Sequence, residues 1–228
     1  MPSDTMSIDS LVVMMPRYVL SIERMTVTTM KVCDTLDVYL ESFGKPIAGF
    51  DLKLATASHL ISILDVLPGE IYDSCSWEFF NARQVNTSRW ENYPPFLWQA
   101  VALAETVPDG KQPVCLGFDR KTSLIRLVVS SEHIPLVSDT TVAVFFFWED
   151  CSDNTLSNAT GDTLAMSVQV FDYFEADDYE RKSIFPTRRG TPRQCIDPAT
   201  VNKPLRLIEF HNGGVEFRMD INPDSTIK

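Results

Sequence analysis

Imidazole is the side chain best suited to acid–base work near neutrality, and this chain of 228 residues has three: His59, His133 and His211. Each stands alone. No GxSxG elbow, phosphate-binding glycine loop, GxGxxG turn or HExxH pair accompanies them, so a structural or surface role is the expectation for each. Carboxylates are plentiful. Glu149-Asp150 and Asp177-Asp178 could supply the two acids of a glycosidase. Neighbours on an extended strand point to opposite faces, however, so neither pair would act together there. Asp150, Asp153, Asn154 and Asp162 fall around one polar turn, and oxygen donors gathered on a loop suit Ca²⁺. The EF-hand spacing is missing, and the competing reading is a set of Asx-turns capping their own backbone. No residue is expected to be catalytic, and calcium is the one cofactor the pattern suggests.

Aromatic side chains give the better binding signal. Trp77, Phe79, Phe80, Trp90 and Tyr93 lie in a polar stretch between strand-like runs. Exposed rings stack on sugars and also anchor protein interfaces; buried ones would cap the core. Trp77, in the run SCSWEFF, reads as core. Trp90 and Tyr93, among Asn, Arg, Glu and Pro, read as the reachable binding pair.

The five cysteines, Cys33, Cys75, Cys115, Cys151 and Cys195, form no CxxC pair, which excludes a zinc ribbon or a thioredoxin motif. Spacing and context suggest a Cys151–Cys195 bond pinning a long loop, worth about 3 kcal/mol on chain-entropy grounds. Cys75–Cys115 is the second candidate bond, and Cys33 is left as a free buried thiol on a strand.

Hydrophobic residues at 44% and charged residues at 22% describe an ordinary globular chain, long enough to bury a core without disulfides. A net charge of −11 argues against nucleic acid or an anionic membrane as the main partner. The charge is uneven. Residues 1–178 carry a net −14, whereas residues 179–206 carry +5. That basic stretch reads as a solvated loop, or as one docked on an acidic face. The start, Met1-Pro2-Ser3-Asp4, has neither a basic n-region nor an apolar h-region, and no apolar run approaches a membrane span.

These residues must be held by strands. Short β-branched and aromatic runs alternate with a period near two at Ser7–Val13, Val19–Val27, Leu36–Glu41 and Ile47–Leu54. Further strands are expected at Ser62–Val66, Trp98–Glu105, Ser123–Ser131, Thr140–Trp148, Thr163–Phe174, Leu205–Phe210 and Val215–Met219. Thr140–Trp148 becomes continuously apolar, which predicts a central strand covered on both faces. Helix is expected as a short turn within Ala55–Leu64, around His59-Leu60; Pro94–Thr106 is ambiguous between helix and strand, its second half reading as strand. Two polar segments, Asn81–Asn92 and Ala176–Pro204, read as long loops. The fold class is therefore all-β: one antiparallel β-sandwich of jelly-roll type over residues 1–228, with long inserts, little helix and a basic loop at about 176–204.

From Val38 to Gly69 the chain resembles the opening of a cohesin module. Ala48-Gly49-Phe50 stands at the family's "aGf" step, and Leu64–Gly69 matches the end of its next strand. A strand glycine permits close backbone approach, and the Phe after it plugs the core. Leu205–Phe217 resembles the last cohesin hairpin, with Asn212-Gly213-Gly214 reading as a tight turn. The middle, with WEDCSDN at Trp148–Asn154, resembles the cohesin-like domains of large secreted bacterial proteins. Ala55-Thr56-Ala57-Ser58 replaces the family's YDP step. The resemblance implies a non-catalytic extracellular or cell-surface module binding a dockerin-like domain or another surface protein. A carbohydrate-binding module taking a polysaccharide, or a β-sandwich glycosidase, are the competing readings.

Overall fold

The computed structural model describes residues 18–28, 32–56, 58–86, 94–106, 117–131, 139–148, 153–158, 164–165, 169–171 and 208–218. Its strands are β1 (Tyr18–Ile22), β2 (Arg24–Val27), β3 (Val32–Glu41), β4 (Ile47–Thr56), β5 (Ser62–Pro68), β6 (Phe79–Val85), β7 (Leu97–Leu103) and β8 (Thr122–Ser131). They continue with β9 (Thr140–Phe146), β10 (Thr155–Asn158), β11 (Leu164–Ala165), β12 (Gln169–Phe171), β13 (Ile208–His211) and β14 (Gly213–Phe217). A single short helix, α1 (Glu70–Cys75), interrupts them among the described residues. The first sheet runs β12-β13-β1-β3-β8-β5. The second runs β11-β10-β4-β9-β14-β2, with β7 along the other edge of β4 and β6 beyond it. The expected all-β sandwich is observed. Three of its ladders are parallel: β1 with β13, β12 with β13, and β2 with β14.

The strands follow from their pleat. On β3, Leu36, Val38 and Leu40 are buried while Asp37, Tyr39 and Glu41 are half-buried on the other face. Phe50, Leu52 and Leu54 of β4 meet them across the core. Rings bridge the two layers: Phe210 packs edge-on to Phe146 at 4.9 Å and to Trp148 at 5.1 Å. Trp77 is 3% exposed and lies against Phe50, as its setting predicted.

Several expectations are corrected. Val19–Val27 is two strands that part at Glu23, β1 joining the first sheet and β2 the second. Asn212-Gly213-Gly214 is the matching crossing and not a hairpin turn, because β13 and β14 continue in one direction beside β1 and β2. A side chain on Gly213 would collide with the Ile22 and Glu23 carbonyls, so glycine permits the two crossings to touch. Gly214 N–H donates to the Glu23 carbonyl at 3.0 Å, and Asn212 Oδ1 accepts the Phe146 N–H at 3.1 Å.

Among the described residues of Ala55–Leu64 no helix forms; His59 and Leu60 make only a turn between β4 and β5. Ala55 and Thr56 finish β4 against Phe145 and Val144. The helix forms later, where Glu70 and Asp73 place negative charge in its first turn and Ser76 ends it in the left-handed region. The Asn81–Asn92 loop is half wrong, since Asn81–Val85 belong to β6. There polar residues face out while Phe80 and Ala82 pack on the core. β9 is central but covered on one face only: Val142, Val144 and Phe146 are buried, and Thr141, Ala143 and Phe145 are half-buried. Cys33 is free as expected but exposed, because it occupies the outward phase of β3. Ser7–Val13 and Ala176–Pro204 lie outside the described residues.

Candidate functional site

Adjacent strands β6, β7 and β4 present a patterned outer face on the second sheet. In register, Phe79 opposes Leu103, which opposes Gly49; Asn81 opposes Val101, which opposes Asp51; Arg83 opposes Gln99, which opposes Lys53. A Cβ on Gly49 would come within 2.9 Å of Leu103 Cδ2 and of Ser157 Oγ, so the glycine of the AGF step gives Leu103 its seat. Phe79 and Leu103 remain 39% and 40% exposed. They form an apolar pair at one end of the face.

Beside this pair runs a polar ladder. Arg83 Nη2 donates to Gln99 Oε1 at 2.9 Å, and Gln99 Nε2 donates to both Asp51 carboxylate oxygens at 3.0 Å. At Lys53 the neighbour of β4 changes from β10 to β9, and the chain between them closes over the strand. Lys53 N–H donates to Asn154 Oδ1 at 2.9 Å, Asn154 Nδ2 donates to the Phe147 carbonyl at 2.7 Å, and Phe147 N–H donates to the Lys53 carbonyl at 2.9 Å. Asn154 thus supplies the pairing that the split sheet lacks, at φ 55°, a conformation Asn tolerates better than most residues. Lys53 Nζ reaches Asp153 Oδ1 at 2.8 Å, with both side chains buried. Of the four calcium candidates, Asp153 and Asn154 therefore serve Lys53 and the backbone. Asp150 and Asp162 lie outside the described residues. Ala55, Leu97 and Phe147 close the far end as a second apolar cluster.

The outer face of the first sheet differs. A groove of about 650 Å³ is lined by Val19, Ser21, Tyr39, Glu41, Lys121 and His211, among others. Asp37 organises one flank. It accepts from Ser123 Oγ and from Tyr39 OH, and its own N–H donates to Glu23 Oε2. Lys121 Nζ lies 4.5 Å from the Tyr39 ring centre. Burial, then the charges of Asp37 and Glu23, push the Tyr39 phenol up to about 12, so it stays protonated at neutral pH and donates its hydrogen bond to Asp37. Burial lowers His211 more than Glu209, 3.7 Å away, raises it. The imidazole is therefore neutral near neutrality. His59 is exposed and edge-on to Phe96, and His133 lies outside the described residues, as do both carboxylate pairs.

Trp90 and Tyr93 also lie outside the described residues. Among the described tryptophans and tyrosines none is exposed. Cys75 is fully buried and disulfide-bonded, while Cys115, Cys151 and Cys195 lie outside the described residues. The aromatic reading missed Leu103, because a leucine in a strand-like run carries no binding signal of its own. The pairing of Phe79 with Leu103 could be found only once β6 was recognised as a strand.

No protein-family model matches the chain, and no curated protein matches it. Solved structures do. A type III cohesin module from the cellulosomal ScaE cell-surface anchoring scaffoldin of Ruminococcus flavefaciens is similar at TM-score 0.50 and 11% identity, covering 89% of this chain and 88% of that one. A chain of the Coh-OlpC–Doc435 type I cohesin–dockerin complex from Clostridium thermocellum covers 90% of this chain and 95% of its own, at TM-score 0.49 and 12% identity. A non-cellulosomal cohesin from the archaeon Archaeoglobus fulgidus covers 88% and 91%, at TM-score 0.38 and 9% identity. With its two sheets and AGF step, the chain has a cohesin-like fold.

Proposed function

We propose that this chain is a non-catalytic protein-binding module that receives its partner on the outer face of β6, β7 and β4. The observation that carries the reading is the exposed Phe79–Leu103 pair set beside the Arg83–Gln99–Asp51 ladder. Interfaces concentrate affinity in a few apolar anchors surrounded by polar groups that fix orientation. Here both are mounted on paired strands, so little conformational freedom is lost on binding. The resemblance implies a dockerin-like partner and an extracellular or cell-surface setting; the scaffoldin module that the fold is similar to is a cell-surface anchoring one. Glu78 and Glu105, exposed and close in sequence to Phe79 and Leu103, suit a partner carrying basic side chains.

Calorimetric titration with a panel of dockerin modules, beside a glycan array, tests this. Saturable binding of a dockerin by the wild type, lost in the Phe79→Ala/Leu103→Ala variant, is expected. Binding to glycans with none to any dockerin would overturn the reading. The Cys75–Cys115 and Cys151–Cys195 pairings are proposed with it, and non-reducing peptide mapping checks them.

A further inference from the structure

The tight turn between β3 and β4 carries an exposed aromatic ring. Ser42 and Lys45 close the β3–β4 hairpin, with Lys45 N–H donating to the Ser42 carbonyl at 3.0 Å. The two central residues, Phe43 and Gly44, have φ of 51° and 72°. This is the primed turn geometry that asparagine–glycine prefers, and a bulky aromatic is unfavourable in its first central position. Phe43 gains little from the fold in return, being 56% exposed. The turn is held firmly nonetheless. Ser42 Oγ donates to the Phe118 carbonyl and accepts the Phe118 N–H, both at 2.9 Å, and Gly44 N–H donates to the same carbonyl at 2.9 Å. Strain held rigid under an exposed ring points to use of that ring.

A receptor lies beside it. Gly117, Phe118 and Asp119 pack against the turn and also line a hollow of about 420 Å³, with Ser74, Arg120 and Thr122 among the described residues of its walls. Phe43 does not fill this hollow, given its exposure. Lys45, two residues past Phe43, and Asp119 on the rim are both exposed and of opposite charge.

We propose that the hairpin tip is a self-association surface, on which Phe43 of one copy enters the hollow of a second copy and the contact is returned. Knob and hollow are neighbours, so one two-fold axis satisfies both contacts and the assembly closes as a dimer; a distant hollow would build an open chain. The same axis brings each Lys45 to the other copy's Asp119. The surface is separate from the proposed partner residues, so the two readings fail separately.

Sedimentation equilibrium at physiological ionic strength tests it, since charges beyond about 8 Å are then screened and the net charge does not mask a local contact. The wild type is expected to show a monomer–dimer equilibrium. Phe43→Asn should weaken it by at least about tenfold while raising Tm by roughly 2–4 °C, because asparagine relieves the turn. Ser74→Trp, which fills the hollow from its exposed rim, should weaken dimerisation with Tm unchanged. A wild type that stays monomeric, a mass that grows beyond the dimer, or a Phe43→Asn variant that dimerises like the wild type would each overturn the proposal.

Discussion

Lys53 and Asp153 neutralise each other below the outer surface of the second sheet, and Gln99 ties Arg83 to Asp51 nearby. The outer surface of the first sheet instead keeps Tyr39, Lys121, Glu41 and His211 around a groove. The same alternating pleat built both faces. What separates them is the chain that follows β9. Its Asp153 and Asn154 close over β4 and consume the hydrogen-bonding capacity of Lys53 there. One face is thereby left with fixed polar partners and an apolar pair to offer. The other is left with Tyr39 and His211, whose pKa values the fold shifts. A surface whose charges are already paired can bind by shape and apolar contact; a surface of titratable groups changes with its medium.

Breaking the buried pair should have the largest effect. Lys53→Met leaves the Asp153 carboxylate buried without its cation, and should cost about 3–5 kcal/mol in urea unfolding. Lys53→Met/Asp153→Leu should recover most of that loss, which a double-mutant cycle reads as a large coupling energy. Next comes Asn154→Gly. It keeps the left-handed backbone but removes both side-chain hydrogen bonds across the split sheet, and should cost about 2 kcal/mol in the same assay. Because Asp153 already meets Lys53 Nζ at 2.8 Å, calcium would have to displace an ammonium group there. Added Ca²⁺ should leave the thermal midpoint unchanged.

The first sheet should give smaller, pH-dependent effects. Tyr39 has a raised pKa in the fold, so its contribution is complete below pH 10 and is lost as pH rises from 10 toward 12. His211 is depressed, so its contribution is present above pH 6.5 and is lost as pH falls below it. Tyr39→Phe should flatten the alkaline limb of a stability–pH profile, and His211→Gln the acid limb. Neither should alter partner affinity if the second sheet binds. A partner affinity that follows His211 would transfer the binding role to the groove.

Strand positions were readable where both faces obeyed one rule. β3 alternates from Leu36 to Glu41, and Phe50, Leu52 and Leu54 of β4 keep the same period, so these core residues are evident from period alone. β6 was hidden because it lies at a sheet edge, where Asn81, Arg83 and Gln84 are exposed and the run looks like a loop. Asn212-Gly213-Gly214 misled for a different reason. Glycine there answers a close approach between crossing strands, and no local pattern distinguishes that need from a tight turn. Asp153 and Asn154 were picked out as oxygen donors, which they are. Phe147 is close to Asn154 in sequence, but Lys53 is brought to both residues by a sheet register that spacing does not encode.

Amide chemical-shift mapping during titration with a dockerin module that binds tests the central claim most directly. The account predicts shifts clustered on Phe79, Asn81, Arg83, Gln99, Val101 and Leu103, with Val19, Ser21, Tyr39 and His211 unmoved. Shifts confined to the groove of the first sheet, with β6 and β7 silent, would contradict it.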